Sequence, residues 1–275
     1  MSGVRAGTLS RLRGTIERLE GAGLPHAAER VTLGHAAADA ALRGGLLRGA
    51  VHEVFAPESR HAAAATGFAA GLAWRAALRR PLIWVWQDFV ARETGGLSMS
   101  GFAELGLDPR RIVLVRAADV EMTLRVAADA LSCAALGAVV LDLWGGAHQL
   151  DLAVSRKLTL AAQASGVSCV MLRTAAEPAT STAETRWIAQ SAPSPLAPAW
   201  STWSVWGAPV IKAQLVRNRH GQTGQWIMEW NGHECLFREP AAHALPVAAA
   251  PSDRPTQAPA VARHRAFRAP ERRAG

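Results

Sequence analysis

The chain has 275 residues, is 49% apolar, and carries a formal net charge of +8 with a pI near 10.9. This is enough for one large α/β core with a small annex or tail, and too little periodic sequence for two full domains. No apolar run reaches the roughly 18 residues of a membrane span, and the first twenty residues lack a secretory leader pattern, so a soluble, cytoplasmic protein with no membrane partner is expected.

In chain order, Leu9, Leu12, Ile16 and Leu19 recur at helical spacing, which predicts a leading helix and linker over 1–32. The core is expected over 33–239. Asp39-Ala40-Ala41-Leu42 forms a helix that the glycines of Gly44-Gly45-Leu46-Leu47-Arg48-Gly49 end, with a turn into the first core strand, 51–55. A helix over 62–78 follows, then an apolar strand at 82–86, and a Gly-punctuated loop with a short helix between 89 and 107. Strand 112–115, helix 120–135, strand 138–143, helix 149–165 and strand 168–172 complete the alternation. Strands alternating with helices of this length build βαβ units. The fold class is therefore α/β, a mostly parallel sheet with helices on both faces.

The pattern changes after Arg173: 174–185 reads as a mobile loop and the three prolines within 191–198 as a linker. Alternation at 210–217 and 226–230, with the Asn231-Gly232 hairpin signal, predicts an antiparallel meander over 208–238 on the sheet edge. Beyond Pro240 only Ala, Pro and Arg dominate, so 240–275 is expected to be a disordered basic tail. Cys133, Cys169 and Cys235 have no CxxC spacing and read as small core residues, which leaves no metal site. The positive charge suits an acidic partner, either nucleic acid or a protein surface. Yet only Lys157 and Lys212 are lysines, and an Arg-, Ala- and Gly-rich composition is equally what a GC-rich genome produces.

The most informative stretch runs from Gly49 to Ala64, a β-type run, a Pro57-Glu58-Ser59 turn and an alanine-rich helix. This is the layout of a phosphate-binding loop without its chemistry. Such a loop needs glycines whose amides close on phosphates, a Lys, and a hydroxyl for magnesium. Here Ala56, His61, Ala62 and Ala63 stand at those places, with Pro57, Glu58, Ser59 and Arg60 between. No cofactor is expected. His61 reads either as an anion contact at a helix N-terminus or as an exposed or capping polar residue.

Leu33-Gly34, Asp39, Leu42, Gly44-Gly45-Leu46, Gly49, Glu53-Val54-Phe55 and Pro57-Glu58-Ser59 resemble the entry to the RecA core. The run 106–116 with Val139-Val140-Leu141-Asp142-Leu143, Arg186-Trp187, Trp226 and the stretch 217–224 is similar to the narrower ImuA family. The resemblance covers about residues 8 to 238. It implies a RecA-like, SulA-related accessory protein of damage-induced translesion synthesis. Its partners would be RecA and the complex of ImuB with an error-prone polymerase, with no ATP hydrolysis of its own. In that frame Asp142 keeps the place of a Walker B acid and Asp88 lies near that of the catalytic Glu. The alternative is a SulA-like cell-division inhibitor acting on FtsZ.

Contact sites are then expected away from the loop. Arg217, Arg219 and His220 sit in the hairpin, where cations reach phosphates, single-stranded DNA or an acidic partner; a solvated turn is the plainer reading. Trp200, Trp203 and Trp206 cover the sheet edge, stack on bases or anchor a protein. In the tail, Arg263, Arg265 and Arg268 flank Phe267 as a short linear motif, or merely keep the chain in solution.

Overall fold

The computed structural model describes residues 29–146, 148–194 and 207–240. The expected leading helix, Trp200, Trp203, Trp206, and the tail with Arg263, Arg265, Phe267 and Arg268 lie outside the described residues.

A two-stranded sheet, β1 (Arg30–Val31) with β2 (Leu46–Leu47), encloses helix α1 (Ala36–Ala41). The Asp39 carboxylate accepts the Leu33 and Gly34 amides at 2.7 and 3.0 Å, and His35 Nδ1 accepts the Ala38 amide, so the helix start is capped from both sides. Gly45 sits at φ +125, and a Cβ there would lie 2.2 Å from the Val31 carbonyl oxygen. Only glycine fits that crossing.

The main body continues as β3 (Val51–Ala56), α2 (Ala62–Ala77), β4 (Leu82–Gln87), α3 (Asp88–Thr94), α4 (Met99–Glu104), β5 (Ile112–Ala117) and α5 (Val120–Leu131). Then come β6 (Ala138–Trp144), α6 (Leu152–Ser165), β7 (Ser168–Thr174), β8 (Thr185–Ser191), β9 (Val210–Asn218), β10 (Gly224–Asn231) and β11 (Leu236–Arg238). One nine-stranded sheet has the order β11-β10-β9-β8-β3-β7-β6-β4-β5. From β8 to β5 every pairing is parallel, while β8 with β9, β9 with β10 and β10 with β11 are antiparallel.

Two apolar cores flank the sheet. Helices α2, α3 and α4 close one face through Phe68, Val90, Phe102, Trp84, Trp187 and Phe237. Helices α5 and α6 close the other through Leu124, Leu131, Leu158, Leu141 and Met171. Coverage on both faces explains the nearly unbroken apolar runs in β6 and β7. The alanines of α2 let it approach the sheet closely, and Gly71 receives the Phe237 and Trp230 rings where a Cβ would meet them at 2.5 and 2.9 Å.

The α/β class, the helices on both faces and the antiparallel edge match the expectation. Several details differ. Strand β8 has no periodicity legible in the sequence, because its exposed and buried positions carry Thr, Arg and Gln beside Trp187 and Ile188. Residues 174–185 are pinned, not loose: Thr182 is hydrogen-bonded to Ser155 and Thr159, and Ser181, Ala183 and Glu184 are buried. Helix α6 begins at Leu152 because the Asp151 side chain caps it by accepting the Val154 amide at 2.8 Å. The Asn231-Gly232 turn is longer than two residues, since Asn231 Oδ1 accepts the His233 and Glu234 amides and the chain reverses at Cys235, φ +52. Of the cysteines only Cys169 is buried; Cys133 is exposed on the turn after α5 and Cys235 is half-buried.

Candidate functional site

Strand β3 delivers its carboxyl end, Ala56, to the place where a phosphate loop would begin, in register with Thr174 of β7. The chain then makes a 3₁₀ turn, Ser59–His61, that runs straight into α2. The His61 amide donates to the Glu58 carbonyl at 3.0 Å and the Ala62 amide to the Ser59 carbonyl, while Pro57 has no amide hydrogen. No residue from 56 to 64 has a positive φ. A phosphate-binding nest needs amides converging from alternating right- and left-handed residues. In this loop two of those amides are already hydrogen-bonded to the loop's own carbonyls.

His61 is buried and not exposed, and although it occupies the N-cap position of α2 its side chain makes no cap hydrogen bond, which corrects the exposed or capping reading of it. Its ring is buried against β8: the Ser191 amide donates to Nδ1 at 3.2 Å, with the Ser191 hydroxyl 2.9 Å from the same nitrogen. It serves as a strut between the loop and β8. Ala62 is buried with it, whereas Glu58 and Arg60 form an exposed ion pair at 2.8 Å beside exposed Ser59 and Ala63.

Asp142 lies near the carboxyl end of β6, opposite Trp86 of β4 and Leu172 of β7. Strand β7 separates it from β3. The carboxyl is 2% exposed; Oδ2 accepts the Trp84 indole N–H at 3.1 Å, and Oδ1 has no partner. Burial pushes it up to about 7, against a smaller lowering by the Trp84 hydrogen bond. An acid held half-neutral at physiological pH and closed from solvent does not suit a magnesium–triphosphate complex. Asp88, at the start of α3, is held by Arg116 at 2.9 Å. With no Lys near the loop and no nest, the residues present do not fit a nucleotide.

In the hairpin, Arg217 and His220 turn back onto the chain rather than forming an outward cationic cluster. Arg217 Nη1 donates to the Ser181 carbonyl at 2.7 Å, and His220 Nδ1 lies 2.7 Å from Glu184 Oε1. The Arg219 amide donates to the Glu184 carbonyl. Burial acts to raise the Glu184 carboxyl, but the His220 hydrogen bond and the charges of His220, His52 and Arg30 outweigh it and hold the group below its ordinary value. Asn218 Nδ2 donates to the Ala41 carbonyl, and a Cβ on Gly221 would meet that same carbonyl oxygen at 2.2 Å, so the hairpin is clamped on the end of α1.

The sequence reading missed a buried charged cluster at the carboxyl ends of β3, β7 and the start of β8. Glu53 pairs with Arg186 at 2.6 Å, and the Arg186 and Arg173 guanidinium carbons stand 5.6 and 5.8 Å from the Phe55 ring centre. Arg173 also donates to the Gly145 carbonyl at 2.7 Å. Its burial lowers its pKa, partly offset by Glu53. The signal was a charge inside otherwise apolar runs, Glu53 between His52 and Val54 and Arg173 after Met171-Leu172.

The structure therefore brings His61 and Ser191 together, and separately His220 with Glu184 and Arg217 with Ser181, but it does not join these groups to Asp142 as one reactive centre. Among the described residues no cluster of His, Cys, Asp or Glu could hold a metal ion, and no helix is long and apolar enough to cross a membrane. No protein-family model matches the chain, and comparison with curated proteins gives no match.

Proposed function

We propose that this chain is a noncatalytic, RecA-like accessory protein of damage-induced translesion synthesis, resembling ImuA, which works in the cytoplasm by holding RecA and the ImuB polymerase complex. The observation that carries this reading is the loop after β3, a strand–turn–helix whose turn hydrogen-bonds two of its own amides internally where a nucleotide-binding relative would present them. The buried, half-neutral Asp142 supports it, since the second acid of a hydrolytic site is withdrawn from solvent and from charge. Sheet and helices are kept, so the function lies in surfaces. Residues of the stretches that resemble the family hold this frame together: Asp39 caps the start of α1, Asn218 and Gly221 clamp the hairpin on its end, and Arg217 ties the hairpin to the Ser181 carbonyl.

The test is a pull-down of purified RecA and of ImuB by the full chain, with and without ATP and magnesium, and by a chain ending at residue 239. Capture of at least one partner, unchanged when nucleotide is removed, is the expected result. Failure to capture either would sink the reading. Blocked FtsZ assembly in place of capture would transfer the chain to the SulA-like alternative, and magnesium-dependent ATP turnover lost in Asp142→Ala would make it an enzyme.

A further inference from the structure

Helix α6 buries Ser155, Leu158 and Ala162 against the sheet and turns a second, unmatched face outward. Leu152, Ala153, Arg156, Lys157, Leu160 and Ala164 are all exposed. At 100° per residue they fill one continuous arc of roughly 140°. Leu152 and Leu160 are 51% and 54% exposed, the highest values among the large exposed hydrophobic side chains of the described residues. Between them stand two cations, and among the described residues neither Arg156 nor Lys157 has an ion pair or a side-chain hydrogen bond. The helix itself contains no acid. By contrast, Arg116 on β5 and Arg125 on the neighbouring α5 are each neutralised locally, by Asp88 and Glu121.

We infer that the outward face of α6 docks an acidic, leucine-bearing segment of a partner protein. The charge supports a partner and not this chain's own remaining segments. Residues 1–28 carry four arginines against two acids, 241–275 carry six arginines against two acids, and 195–206 carry no charge, so none complements Arg156 and Lys157. A second copy would bring a further net charge of +8. Leu152 and Leu160 are separated by about 12 Å along the helix, the rise of eight residues. A partner helix with apolar residues at i and i+7, about 10.5 Å apart along its axis, and Glu or Asp between them comes close to that spacing with its acids facing the cations. Two half-exposed leucines supply apolar area, and the paired charges set orientation and association rate. The docking does not depend on whether the loop after β3 has lost nucleotide.

The experiment uses the full chain and two synthetic amphipathic peptides of equal length, one with Leu on one face and Glu on the other, one with Lys replacing Glu. A single-stranded oligonucleotide is the third probe. Affinity is read by fluorescence anisotropy and location by amide hydrogen exchange. The Glu peptide should bind, protect residues 152–164, and weaken as salt is raised. Arg156→Glu with Lys157→Glu should cost roughly tenfold in affinity, and Leu152→Ser with Leu160→Ser a similar factor. All four sites are exposed, so circular dichroism should be unchanged in both variants. Equal affinity in the charge-reversed variant, protection elsewhere in the chain, equal binding of the Lys peptide, or protection of α6 by the oligonucleotide in place of the Glu peptide would each overturn the assignment.

Discussion

At Asp142 a single proton is coupled to folding. The folded chain holds it up to about pH 7, whereas the unfolded chain releases it near the ordinary value of 3.8. The folded state thus binds more protons across that interval, and stability falls as pH rises through it. The full cost above pH 7 is on the order of 4 kcal/mol. Asp142→Asn keeps an oxygen for the Trp84 indole but cannot ionise. Urea denaturation should show the variant a few kcal/mol more stable than the parent at pH 8, with little difference at pH 4. A difference of the same size at both pH values would remove the proton from the account. The unpartnered Oδ1 belongs to the same picture, because a neutral carboxyl tolerates one unsatisfied oxygen far better than a carboxylate does.

Helix α2 carries two glycines with opposite reasons. Gly67 has open space where a Cβ would go, while at Gly71 a Cβ would meet the Phe237 and Trp230 rings, which are packed against Phe68 and each other. Gly67→Ala should stabilise by about 0.5–1 kcal/mol through helix propensity alone. Gly71→Ala should lose that gain and more, a net destabilisation of about 1–3 kcal/mol, because buried rings must shift. Thermal denaturation of the two variants with opposite signs of Tm change checks the assignment. Such element packing was only partly legible from the chain. The alternating βαβ order could be read because apolar runs and helical spacing are local properties. Strand β8 could not, since its burial comes from β3 and β9 on either side and its own residues are half polar. His61 was similarly opaque: whether a histidine is solvent-exposed or a strut depends on Ser191, which lies 130 positions away. The blank loop chemistry, by contrast, was visible at once, because missing glycines and lysine are absent in any conformation.

Across the whole molecule, acid acts on the seam between the two halves of the sheet. His52 is buried, with Nε2 2.8 Å from the Leu47 carbonyl oxygen and Nδ1 2.7 Å from Thr185 Oγ1, and burial lowers its pKa from 6.5. Glu184, next to Thr185, is lowered from 4.5 despite its burial. The unfolded chain therefore binds the His52 proton first as pH falls below 6.5, and the Glu184 proton first below 4.5, so stability drops on the acid side through both windows. His52→Gln should flatten the loss that begins as pH falls below 6.5 while leaving the Glu184 contribution below 4.5, measured as Tm against pH. An unchanged upper limb would assign that loss to other groups. Strand β3 occupies the middle of this seam, paired to β7 at Cys169 and to β8 at Thr185. Neither partner exists when β3 leaves the ribosome. More than a hundred residues must be synthesised before its first edge is hydrogen-bonded, and the second edge waits for β8. A nascent chain of this protein thus carries a strand with two open edges while more than a hundred further residues are made, a condition that favours early β pairing with other chains and dependence on holding chaperones.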